Sequence, residues 1–346
     1  MARQKSPGGQ LALFPGAPGT PEAEAETPKA RMRVIEPAPV SPEVEALGRA
    51  LPEEIRLGPS TWSYPGWEGL VYDGPYSVSR LAREGLAACA RHPLLRAMGI
   101  DRTHYSPVEA AELAAYAADV PPGFRFLVKA HEALTLARFP DRPRYGRERG
   151  LGNPLYLDAA YAADAVVAPY ALGLGEKGGG LLFQFAPQDL GGPARFADEL
   201  GTFLSALPRG PLYAVELRNR ELLTPRYAEV LAATGAVHCI NAYPRMPDVR
   251  TQARLAGVAS GPAVLVRWLL RAGKTYEEAA RLFAPFDRLH EEDPATREAL
   301  AELSRDALGR GQPVLITVNN QAEGSAPLSI GKLAEAIVEA TRTSPT

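Results

Sequence analysis

The sequence predicts an α/β fold, a (β/α)8 TIM-like barrel behind a disordered N-terminal tail. Three observations carry this. From about residue 54 onward, eight short β-rich runs alternate with longer helical patterns. Such alternation gives a parallel sheet with right-handed crossovers, eight strands close a barrel, and roughly 290 residues suit one with insertions. No Gly-x-Gly-x-x-Gly follows the first run, which counts against the alternative, a doubly wound open sheet.

The strand candidates are Ile55–Gly58, Met98–Thr103, Phe124–Lys129, Gly180–Phe185, Leu212–Leu217, Ala236–Asn241, Ala263–Trp268 and Val314–Val318. The helical candidates begin with Ser79–Ala97, apolar on one face, and Pro107–Ala118, which carries Pro107, Glu109 and Glu112 early, as a helix N-terminus prefers. Asp158–Leu172 and Pro193–Ala206 follow, and Thr224–Thr234 opens on Thr-Pro and stops at Gly235. Thr275–Leu289 and Pro294–Leu308 are split by Pro294, and Pro327–Ala340 is the last helix. Residues 1–53 are rich in Pro, Ala, Gly and Glu without a sustained period and read as a tail, leaving 54–346 as the barrel domain.

At 46% hydrophobic, 23% charged and a formal net charge of -2 over 346 residues, the composition is that of a globular protein with a large core, and it argues against a bulk polyanion binder without excluding a local basic patch. Cys89 and Cys239 are far apart and in no metal-ligand spacing, which points to two buried thiols in a reducing, cytoplasmic setting. Met1–Gln10 has no apolar core of a secretion signal, and no stretch approaches about 18 apolar residues, so neither secretion nor a membrane span is expected.

Ligands of parallel barrels bind at the C-terminal strand ends, and the two-residue alternation of a strand says which side chains face inward there. In Tyr213–Arg218 the large apolar residues share the outer face, so Ala214, Glu216 and Arg218 face the lumen. The same rule puts Lys129, Gln184, Arg267 and Asn319 inward, with Asn320 beside the last. Cations outnumber the carboxylate Glu216, so a bound phosphate or carboxylate would balance the ring, whereas a purely structural reading pairs Glu216 with Arg218 or Arg267. The loop after the first strand carries Trp62, Ser63, Tyr64 and Trp67 on the same face, where the rings either stack on a base or sugar or plug the barrel mouth. The loop Phe139–Tyr156 adds Arg142, Arg144, Arg147 and Arg149 around Tyr145, which reads either as a nucleic-acid grip or as a solvated loop.

The order and spacing of these motifs resemble the YecE-like family, a TIM-barrel domain family of unknown function, over about residues 54 to 342. The motifs are Gly58-x-Ser60-x-Trp62-Ser63-Tyr64-Pro65-x-Trp67-x-Gly69, Pro121-Pro122-Gly123-Phe124-Arg125-Phe126-x-Val128-Lys129, Leu182-Phe183-Gln184, Ala214-Val215-Glu216-Leu217-Arg218, Val266-Arg267, and Asn319-Asn320 with Gly324 and Ala326. The resemblance implies a polar pocket at the barrel mouth and no established reaction. It is that of a divergent member: Gly99 stands where the family tends to carry Glu, Leu269 where it carries His, Gln321 where it carries Asp, and Asn219 where a further His is common. Separately, Gln10-Leu11-Ala12-Leu13-Phe14 resembles the peptide with which bacterial proteins dock on the DNA sliding clamp, the alternative being an apolar segment that folds back on its own domain.

These residues favour a barrel that binds an anionic, phosphate-bearing ligand, nucleic acid or nucleotide, in a setting of DNA replication or repair. The alternative is a hydrolase of a phosphorylated or sugar substrate, cofactor-free or metal-assisted, with Glu216 as general base. A glycosidase would need a second carboxylate, for which Asp101 is the candidate. No cofactor and no metal are expected, since the five histidines (His92, His104, His131, His238 and His290) are too few and scattered for a multinuclear site. The clamp resemblance gives a direct expectation: Leu13→Ala with Phe14→Ala lowers retention on an immobilised bacterial sliding clamp, and equal retention of wild type and variant removes the idea.

Overall fold

The computed structural model describes residues 34–342, so the docking peptide Gln10–Phe14 lies outside the described residues. Eight parallel strands, β1 (Ile55–Pro59), β2 (Ala97–Ile100), β3 (Arg125–Lys129), β4 (Gly178–Phe185), β5 (Tyr213–Leu217), β6 (Val237–Ala242), β7 (Val264–Trp268) and β8 (Val314–Val318), run in the order β1-β8-β7-β6-β5-β4-β3-β2. The eighth seam, between β1 and β2, is closed by the Arg96 N–H donating to the Leu57 carbonyl at 2.7 Å. Glycine makes this seam possible. A Cβ on Gly58 would sit 1.7 Å from the Ala97 carbonyl oxygen, and one on Gly99 2.7 Å from that of Ser60.

The lumen is filled below the mouth by Leu127, Leu182, Ala214, Cys239, Leu265 and Leu315, a packed core rather than a channel. Gly179 and Gly180 at the start of β4 leave room for two of these, since Cβ atoms there would lie 2.6 Å from Leu315 Cδ1 and 2.9 Å from Leu265 Cδ1. A larger apolar layer joins the outer faces of the strands to the helices. Both cysteines are buried, Cys239 in the lumen and Cys89 in the outer layer.

The helices are α1 (Pro42–Ala50), α2 (Val78–Glu84), α3 (Leu86–Cys89), α4 (Ala110–Ala118), α5 (Ala159–Ala162), α6 (Ala168–Leu174), α7 (Pro193–Ala206), α8 (Pro225–Thr234), α9 (Val249–Leu255), α10 (Tyr276–Phe283), α11 (Pro294–Gly309) and α12 (Ala326–Arg342). Two departures from the sequence reading have simple causes. The expected helix Ser79–Ala97 is broken at Gly85 into α2 and α3. Thr275–Leu289 stops after Phe283, ahead of Pro285, which cannot donate to the helical ladder.

The domain boundary also moves. Residues 34–53, assigned to the tail by composition, belong to the domain. Ile35, Ala38 and Leu51 are buried, the Ala38 N–H donates to the Val71 carbonyl at 2.9 Å, and α1 is capped by Ser41. Arg96 ties this segment to β2 through the carbonyls of Leu51 (3.0 Å) and Pro52 (2.9 Å). No helix among the described residues is long and apolar enough to cross a membrane.

Gly58→Ala is expected to destabilise the domain by about 3 kcal/mol, the upper end for overpacking, because backbone rather than a flexible side chain must give way. Gly123→Ala, with nothing within 4 Å of its Cβ, should stay within about 0.5 kcal/mol of wild type. Urea denaturation of both variants checks this, and equal midpoints would contradict the closure argument.

Candidate functional site

The inward face at the C-terminal strand ends carries a continuous chain of charge. Glu216, at the end of β5 and fully buried, accepts from Arg218 Nε at 2.7 Å on one oxygen and from Arg267 Nη1 at 2.7 Å on the other. Arg267, on β7, extends the chain to Gln184 Oε1 on β4 (3.0 Å) and to Asp101 Oδ2 beyond β2 (3.4 Å). Asp101 in turn pairs with Lys129 Nζ on β3 at 3.0 Å. Alternation therefore placed Lys129, Gln184, Glu216, Arg218 and Arg267 correctly, and the register sets Gln184 directly beside Glu216.

Sequence reasoning left two members without a role or an orientation. Asp101 lies just past β2, in a turn where alternation no longer orients a side chain. Asn241, on β6 beside Arg267, donates to Glu216 Oε1 (3.3 Å) and to the Leu217 carbonyl (2.8 Å). Its backbone is clamped on both sides by Gln252 of α9, a helix the sequence pattern did not disclose. Asn241 Oδ1 is buried without a hydrogen-bond partner among the described residues.

Around this floor stand rings and a second polar group. Arg218 stacks on Tyr243, its guanidinium carbon 4.2 Å from the ring centroid, and its terminal nitrogens make no hydrogen bond to any described residue. Tyr276 is placed by the Thr275–Glu278 capping box that starts α10, and its hydroxyl accepts from Asn319 Nδ2 at 3.3 Å. Glu132 gathers Arg144 (2.6 Å), the Tyr145 hydroxyl (3.1 Å) and His104 (3.6 Å). So Arg144 of the arginine-rich loop pairs with Glu132 while remaining exposed, Arg149 pairs with Asp141 at 3.7 Å, and Arg142 and Arg147 are exposed.

The other aromatic and amide candidates are fixed by packing and hydrogen bonds of their own. Trp62 is 1% exposed, donates to the Leu81 carbonyl at 3.0 Å and meets Tyr116 edge-on, so it builds the outer core rather than facing a ligand. Its own carbonyl accepts from the Tyr72 hydroxyl. Asn320 Oδ1 is occupied by Trp67 Nε1 (3.2 Å) and the Ala326 N–H (2.8 Å). Tyr64 packs on Trp67 and Phe286 and forms a wall, and Ser63 is buried beside it in sequence. His238 is a core residue between Tyr227 and Gln252, and His131 bonds to Tyr161. Groups of three or more His, Cys, Asp or Glu able to hold a metal ion are absent among the described residues.

The electrostatics separate the titratable groups. Burial alone would raise Glu216, but Arg218, Arg267 and Lys129 outweigh it and bring its carboxyl down to about 2. A carboxylate so strongly held is a poor proton acceptor, which argues against Glu216 as the general base and for Glu216 as the anchor of two guanidinium groups. Asp101 is likewise held below the usual carboxylate range, since Lys129 and Arg267 outweigh its burial. Lys129 moves the other way: burial, joined by the charge of Arg267, lowers its ammonium to about 8. Burial and the nearby Lys129 lower His104 to about 3.

Three positive against two negative side chains leave one positive charge on this floor. The floor is tightly packed and reaches solvent mainly through Lys129, Asp101 and Arg218, each with 10–13% of its side chain exposed. Apart from the floor, a groove of about 1040 Å³ runs between the loop after β3 and α7, with Arg138, Phe139, Tyr156, Gln188 and Arg195 in its walls and none of the floor's charged residues among them.

Among known proteins, the family model described as "Protein of unknown function DUF72" matches residues 56–346. Curated proteins give no match. A DUF72 family protein from Enterococcus faecalis superposes with a TM-score of 0.57 at 19% identity, covering 84% of this chain and 97% of that one. A second structure of that protein gives 0.50 at 15% identity, covering 84% and 98%. A DUF72 family protein from Thermotoga maritima gives 0.48 at 15% identity, covering 82% and 99%. At these identities the likeness is one of fold.

Glu216→Gln leaves Arg218 and Arg267 buried against a neutral amide, and should cost about 3–5 kcal/mol of stability by denaturant titration. The sign with pH follows from the depressed carboxyl. Its contribution is complete above the ordinary glutamate range and fades as pH falls toward about 2, so the gap between wild type and variant should narrow on acidification.

Proposed function

We propose, for a chain that belongs to the DUF72 family, that the C-terminal barrel face binds an anionic, phosphate-bearing ligand, a nucleotide or a nucleic-acid segment. The observation that carries this reading is the unbalanced positive charge on the floor together with Arg218, whose guanidinium is fixed by Glu216 and Tyr243 and keeps its terminal nitrogens uncommitted to described residues. A guanidinium held by one edge presents its other donors as a preorganised fork for phosphate or carboxylate. Lys129 supplies a second cation, and Tyr276 and Asn319 supply polar atoms on the rim.

The groove between the loop after β3 and α7 offers a second surface, one with room for a ligand larger than a simple ion. Its volume is at the upper end of the range of about 300–1,000 Å³ common for small-molecule sites, and its walls mix arginine with aromatic rings, as suits a phosphate and a base. The exposed Arg142 and Arg147 extend the positive surface outward. This reading places the protein among nucleotide or nucleic-acid binders, with the N-terminal peptide as the route to a replication or repair setting, and assigns Glu216 a supporting role.

Calorimetry at low salt with inorganic phosphate, a nucleoside monophosphate and single- and double-stranded oligonucleotides tests it. Binding should weaken with added salt, and Arg218→Gln should lower affinity about ten- to a hundredfold, as expected for losing charged hydrogen bonds. Absence of binding to all four at low salt would overturn the proposal, as would unchanged affinity in an Arg218→Gln variant that melts like wild type.

A further inference from the structure

Arginine does almost all the cationic work in this chain: only six of its 38 Lys and Arg residues are lysine. Of the four lysines among the described residues, three have ordinary tasks at or near the surface. Lys177 gives its ammonium to the carbonyls of Ala117 and Val120, Lys274 pairs with Glu291 at 2.8 Å, and Lys332 stands beside Glu335. Lys129 alone of the four is buried, 8% exposed, on the inner face of the barrel mouth. Where the floor needs a permanent positive charge it uses Arg218 and Arg267. A guanidinium keeps its proton throughout the working range, whereas an amine sheds it and becomes a nucleophile.

We propose that the Nζ amine of Lys129 condenses with the carbonyl group of a phosphate-bearing aldehyde, forming an imine at the barrel mouth. The proposal rests on the anion-binding reading above and deepens it. The amine stands 3.0 Å from Asp101 Oδ2, with Arg267 on the far side of that carboxylate, and its side chain reaches solvent at the open end. Burial is a setting that activates lysines for carbonyl chemistry, and here burial, joined by Arg267 and opposed by Asp101 and Glu216, lowers the ammonium to about 8. The phosphate of the substrate would take the fork of Arg218 while the carbonyl meets Lys129.

The step balances without an oxidant or reductant. The neutral amine adds to the carbonyl carbon, and the carbonyl π electrons move to oxygen, which takes a proton. Nitrogen then loses a proton, its electron pair closes the C=N bond, and the hydroxyl leaves with a proton as water. Asp101, which stays ionised at 3.0 Å from the nitrogen, positions the amine, and solvent water at the open end carries the protons between nitrogen and oxygen. The groups that face Lys129 are Asp101 beyond β2, Glu216 on β5 and Arg267 on β7, with His104 close by on the turn after Asp101. The carboxylates stay ionised and Arg267 stays protonated, so the amine is the group of this set that changes state near neutral pH.

A phosphate-bearing aldehyde comes from two sources, a free sugar phosphate or an abasic site in DNA. Trapping with sodium cyanoborohydride, read by peptide mass spectrometry, is run with 2-deoxyribose 5-phosphate, with an abasic-site oligonucleotide, and with propanal as the aldehyde that lacks phosphate. The expected result is an adduct on Lys129 at least tenfold above that on any other lysine, favoured at least tenfold over propanal, competed by inorganic phosphate, and rising through about pH 8. The more reactive of the two phosphate-bearing probes identifies the source. Lys129→Arg should abolish the adduct, and Asp101→Asn, which retains the amine, should slow trapping. Phosphate binding without any Lys129 adduct, or labelling spread evenly over the lysines, overturns the imine and leaves the anion reading in place. A Lys129 adduct formed equally with propanal and indifferent to phosphate keeps the amine chemistry and overturns the anion reading.

Discussion

The barrel mouth depends on one carboxylate. Glu216 is fully buried, and a buried charge is tolerated only when it is paired and hydrogen-bonded on all sides. Here each oxygen meets a guanidinium at 2.7 Å, and Asn241 adds a further donor. Fixing Glu216 fixes Arg267, which then reaches Gln184 and Asp101, and Asp101 fixes Lys129. A single electrostatic chain thus joins residues from β3, β4, β5, β7 and the end of β2, with β6 contributing the amide between. Closure of the β-sheet brings these strands to one place, and the charges make that place rigid.

How much of this the sequence discloses follows from how far two-residue alternation reaches. Along a strand the period decides orientation, so Lys129, Gln184, Glu216 and Arg267 could be placed from their spacing to Leu127, Leu182, Ala214 and Leu265, which do line the lumen. Past a strand end the rule holds where the ladder continues, as at Arg218, whose N–H donates to the Phe185 carbonyl, and lapses where the chain turns, as after Ile100. Asp101 sits in a short turn, and its role depends on Arg267, far away in sequence. Tyr276 and Tyr243 come from loops and helix ends, where only tertiary packing sets direction. Trp62 illustrates the same limit. An aromatic in a mouth loop can face either way, and the carbonyl of Leu81 and the edge of Tyr116 settle it outward. The segment 34–53 misled for a different reason: its Pro and Glu content resembles a tail, and the few apolar residues that anchor it, Ile35, Ala38 and Leu51, show no period.

The departures from the family pattern also acquire a physical meaning. Gly99 carries no side chain because the β1–β2 seam leaves no room for one against Ser60. A carboxylate still reaches the mouth, from Asp101 two residues later. The position after Arg267 that resembles a family histidine is the buried Leu269, which packs with Leu270, Ala279 and Phe283 under the segment that carries α10. Leu269 there gives apolar support to Tyr276.

One tension within the site bears on its chemistry. An anion bound at Arg218 would favour the protonated form of nearby Lys129, and so oppose the free amine that attack requires. The same field acts later in the opposite sense. Once a C–N bond forms, the protonated imine is a cation, and an adjacent phosphate stabilises it as it would the ammonium. Attack is then the costly half of the reaction and the adduct the favoured half. The charge count of the ring is compatible with this partition. With Lys129 neutral, Arg218 and Arg267 balance Glu216 and Asp101 charge for charge, so the floor tolerates the free amine. With the nitrogen cationic, the floor carries one positive charge for a phosphate to neutralise. The pairing that makes Glu216 a poor base is therefore what lets a lysine in its field take either charge state.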